Sequence, residues 1–205
     1  RVRKISKNPN SGRNYYLVDA NFLANRFIAP AIAPDSNSRT RIEKCNEWWD
    51  EIEAQLKQNK ARVYIPDICI AETFQVLAKK YYKEKWFKNP VDLNNARERL
   101  GKFITIPAKT LKATKRIIKV HDISTTRDLI ISVDRFYELF LKKNKKVSLP
   151  NLIIVATAKY LIDFFDVPKD RLHIVTLDVD LWGGSKDIQE LPNAYNPTQK
   201  DDGRD

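Results

Sequence analysis

Apolar positions along the chain come in two kinds of run, short continuous stretches and longer stretches spaced at three and four. Tyr15–Val18 is a short apolar run ending at Asp19, and it predicts a buried strand. After a polar, proline-containing loop at 30–38, Ile42, Cys45, Trp49, Ile52 and Leu56 recur at helical spacing and predict an amphipathic helix. Residues 63–65 are the next strand. Pro66 suits the first turn of the helix that follows, because its missing N–H is not needed there. Ile70, Phe74, Leu77, Ala78 and Tyr81 form the apolar stripe of that helix, with Glu72 roughly opposite. A charged, aromatic segment from 83 to about 107 holds one short helix. Ile117–Val120 then reads as a third strand, and Thr125 with Asp128 has the spacing of a capping box. The helix so started carries Leu129, Ile130, Val133, Phe136, Tyr137, Phe140 and Leu141 on one face and breaks in the lysines at 142–146. A nearly all-apolar helix runs from Asn151 to about Phe165, and 172–177 is a fourth strand.

Strands alternating with helices predict an α/β fold, a mainly parallel sheet with helices on both faces. In such sheets the ligand site lies beyond the carboxyl ends of the strands. Asp19 and Asp178 each follow a strand directly. A chain of 205 residues, 42% hydrophobic and 10% aromatic, can build one sizeable core. The division expected is a disordered lead or truncated end at 1–14, one domain at 15–191 with a basic and aromatic insertion at about 83–116, and a disordered tail at 192–205.

Charge narrows the partners. Lys and Arg number 37 against 26 Asp and Glu, a formal net charge of +11, and the pI is near 9.6. Such a balance favours a polyanion, nucleic acid first, over a small neutral substrate. No apolar run approaches the roughly 18 residues of a spanning helix. Cys45 and Cys69 both lie in apolar helical patterns, which points to neither a disulfide framework nor a zinc site and fits a reducing, cytoplasmic setting.

Chemistry concentrates in four stretches: 15–23, 65–77, 149–158 and 174–181. They place Asp19, Glu72, Asn151 and Asp178 at strand ends or on first helical turns. Two unit charges about 4 Å apart repel by about 4 kcal/mol at an effective dielectric of about 20, so converging carboxylates call for a cation among them. Mg²⁺ or Mn²⁺ suits oxygen ligands and retains waters usable in hydrolysis. Taken singly, Asp19 reads as a helix N-cap and Glu72 as a solvated glutamate. Taken together, the four favour a metal site.

The segments LVDAN, IPDICIAE, NLIIVATA and TLDVDL, in that order, resemble the motifs of the PIN-domain family, the metal-dependent ribonucleases that include the VapC-type toxins of toxin–antitoxin pairs. The resemblance covers about 15–190 and implies a PIN-like α/β/α sandwich. It also implies a metal-dependent endoribonuclease that leaves 5′-phosphate and 3′-hydroxyl ends. It makes Asp19, Glu72 and Asp178 metal ligands and Asp180 an auxiliary carboxylate, with Asn21 and Thr176 in support. RNA is the implied partner, with a cognate antitoxin and a homodimer as further expectations. The chain departs from the pattern at Asn151, where the family has an acid. Three readings stand: an engineered change, a natural divergence, or an N-cap for the helix that follows. An amide keeps the shape and drops the charge, which weakens a metal site.

Lys142, Lys143, Lys145 and Lys146 precede Asn151 and are expected at the mouth of the acidic cleft. A second group, with Lys79, Lys83 and Trp86, suits an RNA path in which lysines track phosphates and aromatics stack on bases; a solvated helix face over buried aromatics suits it equally. Lys109, Lys112, Lys115, Arg116 and Lys119 form a third. His121 and His173 read as structural. Two other functions remain open. One is a non-catalytic RNA-binding or scaffold protein with Asn151 as the mark of lost activity. The other is a phosphoaspartyl phosphatase, suggested by the Asp-x-Asp at 178–180 and disfavoured by its place on the last strand.

Overall fold

The computed structural model describes residues 12–104 and 120–199. Five strands form one sheet in the order β3-β2-β1-β4-β5, and all four pairings are parallel. They are β1 (Asn14–Val18), β2 (Ala61–Pro66), β3 (Val120–Ile123), β4 (Leu172–Val175) and β5 (Asn193–Tyr195). The helices are α1 (Ala20–Asn25), α2 (Ser36–Lys57), α3 (Asp67–Tyr82), α4 (Pro90–Ile104), α5 (Arg127–Lys142), α6 (Leu149–Phe165) and α7 (Val179–Lys186).

The chain moves outward from β1 to β2 and β3, then returns across the sheet to β4 and on to β5. Right-handed crossovers therefore lay α1–α4 on one face and α5–α7 on the other. The direction reverses between β1 and β4, which pair with Val18 beside Val175. In open parallel sheets, such a reversal point is where a crevice forms between the two layers of helices, just past the strand ends.

In α2 the predicted stripe of Ile42, Cys45, Trp49, Ile52 and Leu56 is fully buried, and Asp35 caps the helix by accepting from the Ser38 N–H at 2.8 Å. Each large apolar side chain so buried contributes about 1.5–3 kcal/mol. Helix α6 packs against β1, β2 and β4 beneath α5. Its residues from Asn151 to Ala158 are all buried, as its unbroken apolar run requires.

Several expectations need correction. Helix α3 buries the predicted Leu77 together with Cys69 and Thr73, while the predicted Ile70, Phe74 and Tyr81 are only partly buried against the core; Thr73 sits under α1 with its hydroxyl on the Cys69 and Ala20 carbonyls. Thr126, not Thr125, caps α5. Leu129, Val133, Phe136 and Phe140 of α5 are buried, while Ile130, Tyr137 and Leu141 stay about half exposed. Helix α6 begins at Leu149 after Ser148, so Asn151 lies inside the first turn and is not its N-cap. The third strand falls at 120–123, and residues 117–119 are outside the described region, as are the lysines at 109–119. The supposed tail from 192 supplies β5, whose backbone pairs with β4. The Asn196 side chain then ties the next turn to Thr198. No helix among the described residues is long and apolar enough to cross a membrane.

Candidate functional site

Asp19 ends β1 and caps α1. It is buried, and its two oxygens accept three hydrogen bonds: from Phe22 N at 2.6 Å, Thr176 Oγ1 at 2.5 Å and Leu177 N at 2.9 Å. Burial pushes its carboxyl above the usual range, and the nearby Asp178 adds to this, while the three donors pull it back. Asp178 follows β4 and caps α7, accepting from Leu181 N at 2.8 Å. Thr176 joins the two. Its hydroxyl donates to Asp19 and accepts from Asp178 N at 2.9 Å, so one buried side chain fixes both strand-end carboxylates across the crevice.

Asn151 reaches the same place from α6, the layer opposite α3, and its Nδ2 donates to Asp178 Oδ2 at 2.9 Å. Glu72 approaches from α3. It is half-buried, and its carboxyl is raised first by burial and then by the charges of Asp19 and Asp178. Its side chain makes no hydrogen bond among the described residues. Asp19, Glu72, Asn151 and Asp178 therefore converge from four elements at the reversal point of the sheet. Asp19, Asn151 and Asp178 also sit on the N-terminal turns of three helices, where the unpaired N–H groups favour negative charge.

The donor set is oxygen only, three carboxylates and an amide carbonyl, which suits a hard divalent cation in kind. Among the described residues, no three Asp, Glu, His or Cys side chains are grouped tightly enough to hold an ion as they stand. The raised carboxyls of Asp19 and Glu72 are what a shared cation would relieve.

Other predicted residues fall further out. Asp180 lies in the first turn of α7 and faces Lys145 at 3.7 Å. Asn21 is exposed on the first turn of α1 and makes no side-chain hydrogen bond among the described residues. Lys142, Lys143 and Lys146 are exposed, with Lys142 near Glu138 at 3.8 Å. Lys145 is half-buried against α7, where a Cβ on Gly183 would lie 3.4 Å from its Nζ. The lysine loop thus borders the acidic crevice. Lys79 pairs with Glu84 at 3.5 Å, and Lys83 is exposed.

Trp86 is the clear correction. It is 7% exposed, and Lys80 Nζ sits 3.3 Å above its ring, so the ring face offered to a base is already covered. Phe87 beside it is also buried. Of the aromatic residues in this group Tyr82 is the most exposed, at 64%, with the Tyr81 ring edge-on to it at 4.8 Å. Sequence reading missed Gly184, whose missing Cβ admits the Phe140 ring; a Cβ there would stand 2.5 Å from it. The Gly183-Gly184 pair inside a helix was the available signal.

No family model matches the chain, and no curated protein matches it. Solved structures do. VapBC2 from Rickettsia felis bound to a DNA fragment from its promoter superposes with a TM-score of 0.51 at 13% identity, covering 89% of this chain and 98% of that one. FitAcB from Neisseria gonorrhoeae gives 0.50 at 16%, covering 89% and 97%. FitAB bound to an IR36 DNA fragment gives 0.53 at 15%, covering 92% and 99%. Likeness at this identity gives the fold alone. The assignment to the PIN-domain family is corrected accordingly: no family model supports it, and the similar structures are VapBC2 and FitAB complexes rather than anything identified as a PIN toxin.

Proposed function

We propose that this protein is a divalent-metal-dependent endoribonuclease working within a toxin–antitoxin pair. The observation that carries this reading is the convergence of Asp19, Glu72, Asn151 and Asp178 past the carboxyl ends of β1 and β4, with Asp19 and Asp178 joined through the Thr176 hydroxyl. Resemblance to VapBC2 and FitAB complexes supports the paired setting and a partner protein.

Asp19, Glu72 and Asp178 would hold Mg²⁺ or Mn²⁺, with Asn151 offering a neutral oxygen. The ion would supply Lewis acidity and an activated water for phosphodiester hydrolysis. Thr176 and the helix N-termini orient Asp19 and Asp178. Glu72, with no hydrogen-bond donor on it among the described residues, is the carboxylate freest to move toward an ion or to take a proton. Lys142, Lys143, Lys145 and Lys146 would hold the RNA backbone beside the crevice.

A second reading has its own support. The Asn151 amide donates a hydrogen bond to Asp178 and brings no charge of its own to the cluster, as expected of a non-catalytic RNA-binding or scaffold protein on the same fold. Asn151→Asp separates the two. The expected outcome is Mn²⁺-dependent cleavage of single-stranded RNA, abolished by chelator, and at least about tenfold faster than the parent, in line with what one metal-site position is worth. Failure of both forms to cleave RNA or bind metal would sink the nuclease reading and leave the binding protein.

A further inference from the structure

Lys145 is held differently from the lysines around it. Helix α5 ends in a tight cap, in which Asn144 takes a left-handed conformation with φ 54° and its N–H donates to the Leu141 carbonyl at 2.9 Å. The Lys145 N–H reaches back to the Phe140 carbonyl at 3.0 Å, and together these bonds fix the Lys145 backbone. Its side chain then lies along α7, on the face where Asp180, Gly183 and Gly184 fall at positions i, i+3 and i+4. A Cβ on Gly184 would stand 3.2 Å from Lys145 Cγ, and one on Gly183 3.8 Å from Cε and 3.4 Å from Nζ, so the two glycines form a seat for the stem. At its end, Nζ faces Asp180 at 3.7 Å. That is too long for a hydrogen bond and short enough for Coulomb attraction. Nζ makes no hydrogen bond among the described residues, so its three donors are available. Lys80 and Lys159, by contrast, commit a donor to Glu84 and Asp163 at 2.6 Å.

Resting on the RNA-binding part of the reading above, which both of its alternatives share, we propose that Lys145 is the phosphate-positioning residue of the lysine loop. Its ammonium, steadied by the glycine seat and Asp180, binds one backbone phosphate of single-stranded RNA beside the crevice, while Lys142, Lys143 and Lys146 attract the strand without fixing it. No metal ion is needed for this role. An exposed lysine loses rotamer freedom when it grips a phosphate, and that loss offsets much of the attraction. The Lys142 side chain, 71% exposed, is in that position. The Lys145 side chain, 30% exposed, has already lost its freedom on folding and still reaches solvent with its donors unused. A preorganised cation therefore keeps more of each charge-assisted hydrogen bond to phosphate. Asp180 is a positioning residue in this scheme: it holds the ammonium without occupying its donors.

The test has two parts. In the free protein, ¹³Cε relaxation of labelled lysines should show Lys145 more rigid than Lys142, Lys143 and Lys146, and Asp180→Asn should raise the mobility of Lys145 alone. Binding of a fluorescein-labelled single-stranded RNA is then followed by anisotropy over a range of salt. Lys145→Met leaves an unbranched apolar stem on the glycines and removes the charge. It should weaken binding about tenfold at low salt and lower the log–log salt slope by about 0.7, with the melting temperature unchanged. The same change at Lys142, Lys143 or Lys146, made singly, should weaken binding by less than about threefold. Lys145→Gln takes the place of the methionine variant if that one fails to fold. Equal losses at all four lysines, or a Lys145 as mobile as Lys142 in the free protein, overturn the proposal and leave a diffuse basic patch that still binds RNA. A parent that binds no RNA at low salt overturns the RNA reading itself, and this role with it.

Discussion

A single hydroxyl shows how narrowly this site is poised. Thr176 gives its proton to the buried Asp19 and its lone pair to the Asp178 N–H. Thr176→Val keeps the shape and leaves the carboxylate one donor short, so a loss of about 1–3 kcal/mol is expected in denaturant unfolding, largely restored by Thr176→Ser. His173 carries a prediction of a different kind. Its ring lies between Tyr16 and Tyr195, and burial lowers its affinity for a proton. A lowered folded value means that the unfolded chain protonates first as pH falls. The contribution is therefore intact above the usual histidine value of 6.5 and is lost as pH falls through it toward the folded value. His173→Phe removes this loss, and also the buried Nδ1 that has no hydrogen-bond partner among the described residues. The gap in melting temperature between the variant and the parent should widen as pH drops below 6.5; a constant gap would show that His173 plays no part.

Elements were legible where one face is buried against one neighbour, and less so where two partners compete. The α2 stripe matches because a single apolar face meets the core. The face of α5 is only half right, since Ile130, Tyr137 and Leu141 obey the same spacing as their buried neighbours and nothing local says which side α6 covers. The short helix α7 packs closely against α5 only because Gly184 has no side chain. Gly184→Ala forces a methyl into the Phe140 ring and should cost about 1–3 kcal/mol by thermal or denaturant unfolding. The same change should displace Lys145, whose side chain lies 3.2 Å from the position of that methyl, and so weaken RNA binding. Unchanged stability would mean that α7 shifts freely on α5.

Across the whole molecule, the sequence carries a net charge of +11, while at the crevice Glu72 lies within reach of the charges of Asp19 and Asp178. On the proposed function, attraction of RNA and coordination of a cation fall to different residues. Replacing Lys142, Lys143, Lys145 and Lys146 with Ala should weaken single-stranded RNA binding and flatten its log–log salt dependence by about 0.7 per lost phosphate contact. Unchanged affinity at low salt would move the RNA path to the exposed surface around Tyr82 and Lys83. The sheet itself should survive, because Lys142, Lys143 and Lys146 are exposed and Lys145 is only half-buried.

By itself the sequence determined the parallel α/β class and the placing of Asp19 and Asp178 just past strand ends. Both depend on periodicity and capping, which act over a few residues. The tertiary structure alone decided that Thr176 bridges to Asp19, 157 positions away, and that Asn151 holds Asp178 rather than capping its own helix. It likewise decided that Trp86 is covered by Lys80 and that the residues after 192 form a strand. Those outcomes were hidden because the same side chain makes a cap, a ligand, a stacking platform or a core residue according to which distant surface meets it, and a linear pattern carries no record of that surface.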